Sequence, residues 1–416
     1  MLSRRGLAAL GPGLLWAGTA IGVSHLVQST RAGAGYGLTL AWVVILAHVL
    51  KYPAYEAGSR YTAATGRSLL DGYRRLGTWA VWLFLALSLG TMAIIEAAIT
   101  IVTAGMASAL ISDAISVGAW AGVLLTGTVA ILALGRFRLL DGAMKTMMLV
   151  LSVSTLLAVA LLLPATPADH LPIWPPLPPL EPIHIGFLVA FIGWMPAPFD
   201  TAVWHSLWSV ERQREHGRAT VAEARLDFHV GYAGTAIMAL AFVTLGAAAL
   251  HDGVTTLPDP PAAFAEVLVD AYALALGGAA RPVLLTAAFA TMLSTTLAVT
   301  DGFPRAIAAA FARLRTAEQE SEAQHHGAYL LGVVAMSLGG FLIIQAYTHR
   351  FTALVDFATT LSFVTAPLLA WMNLRAVQGP EVPADLRPRG LLLAAHWLCV
   401  ITMAAFSLGF VVWRFG

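Results

Sequence analysis

Long apolar runs separated by short polar clusters set the pattern of this chain. A membrane-spanning helix needs about 20 predominantly apolar residues. Eleven runs meet that length, near residues 12–35, 37–58, 79–110, 117–135, 141–163, 184–206, 228–250, 281–301, 326–347, 351–373 and 391–413. The third is long enough to tilt or protrude. Charge falls mainly in the connections. Two connections are long. Residues 164–183 are Pro-rich and nearly uncharged, which predicts an extended link between two halves. Residues 251–280 are mildly acidic and read as an external connection, and residues 316–326 as a polar internal loop.

Two of the runs are interrupted. The sixth contains Ile192-Gly193-Trp194-Met195-Pro196-Ala197-Pro198-Phe199-Asp200. Each proline lacks an N–H, and its ring clashes with the carbonyl four residues back. The carbonyls of Ile192 and Trp194 therefore lose their helical partners. Such backbone survives at membrane depth only where protein buries it or a cavity wets it. The first run opens with Gly11-Pro12-Gly13 and turns polar at Gly22-Val23-Ser24-His25, with Gln28 beyond. Glycine alone is weak evidence for a break. The two interruptions, however, lie five spans apart. Interrupted helices at corresponding places in two halves mark midplane sites of transporters. The expected fold is thus all-α, with two five-helix inverted repeats (1–163 and 184–374), the linker 164–183, and an added eleventh helix in 375–416. A proline kink without a ligand is the plain alternative for the sixth run.

Composition fixes the class. The chain is 58% apolar and 11% charged, whereas a soluble domain carries about a quarter charged residues. It is read as an integral membrane protein with lipid as its surroundings. A net charge of +1 gives no argument for nucleic acid. One cysteine, Cys399, excludes an intrachain disulfide. The first run reads as a retained span, not a cleaved signal. With the N-terminus in the cytoplasm, 20 basic residues fall inside, Lys51 among them, and only Arg31, Arg281, Arg350 and Arg414 outside. The positive-inside rule therefore predicts a cytoplasmic N-terminus and an external C-terminus. Heavy Ala and Arg usage points to a cell inner membrane.

The chemistry-bearing residues cluster at the breaks. His25 can ligate a transition metal or titrate, or it can pack as a hydrogen-bonded helix residue. Ser24, Gln28 and the carbonyls near Gly22 offer oxygen donors, as do those of Ile192 and Trp194. Met195 offers a soft thioether, with plain packing as the alternative. Asp200, five residues past Met195 and about one and a half turns into the second half-helix, can supply charge or carry a proton, or can be stabilised by that half-helix's dipole and free N–H groups. Glu96 stands mid-span in the third run and suits a proton pathway or a structural bond. Asp356 lies near the outer end of the tenth span. His205 and Asp301 read as structural, and Glu56 with Arg60 as a helix-surface pair. No Walker-type Gly-Lys-Ser/Thr and no Ser-His-Asp constellation occurs, so ATP drive and enzyme chemistry are not expected.

Several stretches also carry a family resemblance. Gly11-Pro12-Gly13, Arg31-Ala32-Gly33-Ala34-Gly35-Tyr36-Gly37, Thr65-Gly66-Arg67-Ser68-Leu69, Gly193-Trp194-Met195-Pro196 and Asp227-Phe228-His229-Val230-Gly231-Tyr232 resemble the natural resistance-associated macrophage protein (NRAMP) metal transporters. The resemblance implies a LeuT-like fold and ion-coupled secondary transport, typically proton-coupled uptake of manganese or iron. It also exposes departures. The family's Asp-Pro-Gly-Asn motif falls on Gly22-Val23-Ser24-His25, so the anionic ligand is gone and His25 replaces the Asn. Met195 matches the family's Met. The family's Met-Pro-His histidine falls on Ala197, and its helix-10 glutamine near Thr359.

The expected function is a secondary transporter of a divalent metal ion, possible metal ligands being His25, Met195 and Asp200, with Glu96, His25 and Asp200 as candidates for proton coupling. The substrate site is placed on Gly22, Ser24, His25, Gln28, Ile192, Trp194, Met195, Asp200 and Thr359. The lost aspartate motivates the alternative, a non-metal solute or anion on the same scaffold. No resident cofactor is expected.

Overall fold

The computed structural model describes residues 11–135, 137–172, 181–251, 257–315 and 326–415. Arg4 and Arg5, the prolines at 173–180 and the polar loop at 316–325 lie outside these residues. The described chain is a bundle of helices: α1 (Pro12–Ala20), α2 (Thr30–Tyr36), α3 (Ala41–Thr65), α4 (Leu69–Leu76), α5 (Thr78–Leu110), α6 (Val117–Ala133), α7 (Phe137–Leu162), α8 (Pro182–Gly193), α9 (Asp200–His216), α10 (Val221–Leu250), α11 (Pro261–Leu276), α12 (Arg281–Arg315), α13 (His326–Tyr347), α14 (Phe351–Val377) and α15 (Gly390–Phe415). A π-helical stretch, Val23–Ser29, joins α1 to α2. The first and sixth apolar runs are therefore each two half-helices, α1/α2 and α8/α9. Among the described residues, seven helices are long and apolar enough to cross a membrane. Their outward faces carry bare Leu, Ile and Val, for example Val153, Leu161, Leu342, Ile401 and Leu408, as a lipid-facing surface requires.

Two elements depart from the expectation. Residues 251–280 are not a plain connection, because α11 lies within them and buries Phe264, Leu268, Val269 and Tyr272. Its Tyr272 hydroxyl meets Thr155 of α7 at 2.7 Å. The polar turn at 66–76 forms α4, opened by a reciprocal capping box between Ser68 and Asp71.

The broken first span is held by α10. Asp227 accepts from the N–H groups of Gly11 and Gly13, both at 2.7 Å. A carboxylate thus satisfies donors that the first turn of α1 leaves free. Higher up, backbone meets backbone. A Cβ on Gly246 would lie 2.4 Å from the Thr30 carbonyl, and one on Gly33 would lie 2.0 Å from that of Val243. Small residues at such crossings let membrane helices approach closely.

Gly246→Ala should therefore lower the melting temperature by several degrees, because overpacking costs about 1–3 kcal/mol. Gly234→Ala on the same helix meets open space and should leave it unchanged. Equal melting temperatures for the two variants in a thermal unfolding assay would contradict the close α2–α10 approach.

Candidate substrate site at the helix breaks

The break between α8 and α9 is closed by one face of α3. The Lys51 ammonium donates to the carbonyls of Ile192 at 2.5 Å, Met195 at 3.0 Å and Gly193 at 3.3 Å. An ammonium has three donors and no acceptor, so each of its hydrogens meets one carbonyl. Its nitrogen also lies 5.5 Å from the centre of the Phe199 ring. One turn on, the Tyr55 hydroxyl donates to the Ala197 carbonyl. Ser24 Oγ lies 2.9 Å from the Ala20 carbonyl and 3.3 Å from that of Pro196, and Thr201 donates to that of Pro198 at 2.7 Å. The Ile192 carbonyl, whose helical partner Pro196 removes, thus accepts from Lys51 and also from the Met195 N–H at 3.1 Å. Gly193 is required where α8 meets α14, since a Cβ there would lie 2.1 Å from the Thr359 carbonyl. Trp194 anchors the far side through a 2.7 Å bond from its indole N–H to Ser362.

The break in the first span faces this one. Gly22 sits at the joint, and a Cβ on it would lie 2.8 Å from the Thr295 side chain of α12. Ser24 meets His25 Nδ1 at 2.8 Å, while His25 Nε2 lies 3.0 Å from the Thr235 carbonyl. A carbonyl only accepts, so Nε2 carries the hydrogen, and both ring nitrogens of His25 are engaged. The hydroxyl of Thr235 in turn faces His48 of α3 at 3.3 Å.

The predicted residues divide into groups. Ser24 and Trp194 line a small cavity of about 20 Å³ between the breaks, with Thr19, Thr201, Thr295 and Trp204. That is room for about one water, and its lining carries no charged side chain. Met195 instead packs in an apolar cluster with Phe187, Phe191, Val43 and Val243. Asp200 is the first residue of α9 and accepts from Ser88 of α5 at 3.3 Å. This corrects the expected position one and a half turns into that half-helix. Glu96 accepts through Oε1 from Thr100 and Thr300, both at 3.0 Å, while Oε2 has no protein partner among the described residues. Among the described residues, no group of three or more His, Cys, Asp or Glu side chains is placed to hold a metal ion. His25, Met195 and Asp200 do not come together as such a group.

Gln28 belongs to a different assembly. Arg31 pairs with Asp356 through bonds of 2.6 and 3.1 Å, and Gln28 bonds to both partners. This clasp ties α2 to α14. Thr359, one turn beyond Asp356, turns its hydroxyl to the Val355 and Asp356 carbonyls. Beyond the clasp opens a vestibule of about 740 Å³ that Tyr36, Phe187, Phe357 and Arg414 help to line.

Sequence reasoning missed Lys51, His48 and Tyr55, and counted Lys51 with the cytoplasmic charges. Lys51 is fully buried inside α3. The available signal was its spacing, since His48, Lys51, Tyr52 and Tyr55 follow the i, i+3, i+4, i+7 pattern of one helix face. Glu56 and Arg60 form their pair at 2.7 and 2.8 Å. They are buried, not on the surface, and Arg60 also bonds the Leu386 carbonyl. Packing of the 380s against α3 covers them.

Similarity to known proteins matches this geometry. The family model described as natural resistance-associated macrophage protein-like (Nramp) matches residues 13–413. The chain belongs to the Nramp family. An uncharacterized protein of Pasteurella multocida is 32% identical over 98% of this chain and 93% of its own length. The metal transporter Nramp6.2 of Populus trichocarpa is 31% identical over 32% of this chain and 24% of its own length. Among solved structures, the manganese transporter of Eremococcus coleocola superposes with a TM-score of 0.74 at 15% identity, covering 98% of this chain and 86% of that one. MhsT, solved with L-phenylalanine, gives 0.67 at 13% identity over 99% of both chains. The Nramp chain is thus a multi-pass membrane transporter of the LeuT-like fold, and not an enzyme.

The Arg31–Asp356 clasp generates an accessibility prediction. With Cys399→Ser and Thr359→Cys in place, a water-soluble thiol reagent should label slowly. Adding Arg31→Ala should speed labelling roughly five- to tenfold, the worth of a partly exposed pair of about 1 kcal/mol. An unchanged rate would mean that the clasp does not seal the path below it.

Proposed function

We propose that this Nramp-family chain is a secondary-active transporter whose substrate passes between the two helix breaks. The observation that carries this reading is the small cavity between the breaks, together with the Gln28–Arg31–Asp356 clasp at the wall of the vestibule. A small site between half-helices, with a clasp at the vestibule wall, suits alternating access. The charge bias of the loops supports a cytoplasmic N-terminus in an inner membrane. In that orientation the vestibule opens to the outside.

For the cargo, the first reading is a divalent metal ion. Family membership supports it, as do the metal named for the poplar relative and the manganese named for the Eremococcus structure. Met195 occupies the family's thioether position. This reading requires His25, Met195 and Asp200 to converge in another state of the cycle. In the present state both ring nitrogens of His25 are engaged, and Met195 is packed among apolar side chains. Glu96, with one carboxyl oxygen free of protein partners, is the proposed proton carrier, with His25 and Asp200 as the other candidates.

One observation favours the second reading, a non-metal solute. Where the break offers its carbonyls, the protein presents a cation of its own, and the lining of the small cavity holds no carboxylate. Stripping water from a divalent ion without an anionic ligand is costly, above all for Mg²⁺.

Calorimetric titration of the purified transporter with Mn²⁺, Mg²⁺ and Ca²⁺ separates the two. Saturable Mn²⁺ binding that both His25→Ala and Met195→Ala remove is the result expected of the metal reading. Absence of binding by all three ions would reject it and leave the solute reading standing.

A further inference from the structure

The carbonyls of Ile192 and Gly193 close the C-terminal end of α8, where the aligned peptide dipoles place partial negative charge. The Met195 carbonyl joins them from the unwound segment. Carbonyls at the ends of half-helices and along unwound backbone coordinate cations in transporters with broken helices. Here all three converge on the Lys51 nitrogen, at 2.5–3.3 Å. The Phe199 ring at the start of the other half adds a cation–π contact. The acceptors are neutral carbonyls, so no carboxylate pairs with the ammonium in this cradle.

We propose that this carbonyl cradle is a monovalent-cation site that the protein fills permanently with the ammonium of its own Lys51. The side chain is a tethered cation. It ties α3 to both halves of the broken span and supplies a positive charge that a soluble ion would otherwise bring. The intact chain therefore takes no alkali cation at this position. The inference is independent of whether the cargo is a metal or a solute.

The proposal makes the cradle's cation exchangeable once the tether is cut. Lys51→Ala removes the ammonium and leaves space along its stem, which opens the three carbonyls to a free cation. Lys51→Met keeps most of the stem and removes the charge. Thermal stability would be read by size-exclusion of heated, detergent-solubilised membranes, so that no variant has to survive purification. Samples would hold methylammonium, potassium or sodium chloride at equal ionic strength, with N-methylglucamine chloride as the bulky control.

Lys51→Ala should melt below the wild type in N-methylglucamine. It should regain roughly 2 °C or more in methylammonium or in one alkali salt, as expected for a ligand that binds only the folded state. The wild type and Lys51→Met should show no difference among the four salts, and Lys51→Met should remain less stable than the wild type. Two outcomes would overturn the proposal. One is a Lys51→Met protein as stable as the wild type, because the carbonyls would then need no cation. The other is a Lys51→Ala protein that responds to the four salts as the wild type does. Mn²⁺ binding is measured separately, so failure here does not touch the transporter reading.

Discussion

Backbone carbonyls freed at membrane depth have no water to turn to, and in this chain a buried ammonium takes that role. The two prolines of the sixth span make the vacancy, and Lys51 fills it. Magnitudes favour the arrangement. A charged side chain at the centre of a membrane helix costs about 2.5–3.5 kcal/mol on insertion scales. A hydrogen bond to a charged group returns about 1.5–3 kcal/mol. Three such bonds outweigh the cost, and of the three acceptors the Ile192 carbonyl also takes the Met195 N–H at 3.1 Å. Tyr55 adds a bond to the Ala197 carbonyl, so α3 holds the break in a defined shape.

That shape orders the rest of the transport core. With α8 and α9 fixed on α3, the Trp194 indole reaches Ser362 of α14, and Gly193 lets α8 pass against Thr359. On the opposite side α10 clasps both halves of the first span, capping α1 through Asp227 and crossing α2 at Gly246. The two breaks are thereby brought face to face around one water-sized cavity. At the wall of the vestibule the Arg31–Asp356 pair ties the first span to α14. The functional consequence concerns charge. The first break carries Gly22, where a Cβ would meet Thr295, while a lysine from another helix brings a positive charge against the second break.

The sequence made some of this legible for clear reasons. Length and hydropathy located the spans, because a membrane imposes one length on every helix. Proline chemistry located the break at 193–199, and the polar turn at Gly22 located its partner. Asp200 was placed too deep in its half-helix because irregular backbone runs up to Phe199, and the proline spacing does not say where a helix resumes. Lys51 escaped notice because a basic residue near a span end ordinarily signals the cytoplasmic side. Only its spacing with His48, Tyr52 and Tyr55 distinguishes an inward-facing lysine from a loop charge. Glu56 and Arg60 were misjudged for a related reason, since the segment that covers them, ending in Leu386, lies more than 300 residues away. The α11 helix was missed because its run is short and bounded by polar residues. It becomes a helix by packing Tyr272 and its neighbours on the bundle.

The central claim is that the second break is built around a positive charge that the protein itself provides. Diffraction from crystals of the Lys51→Ala protein grown in a thallous salt tests it most directly, since Tl⁺ substitutes for potassium and scatters anomalously. The account predicts an anomalous peak in contact with the carbonyls of Ile192, Gly193 and Met195 in the variant and none there in the wild type. A variant whose carbonyls turn to other protein donors, with no ion between them, would contradict it.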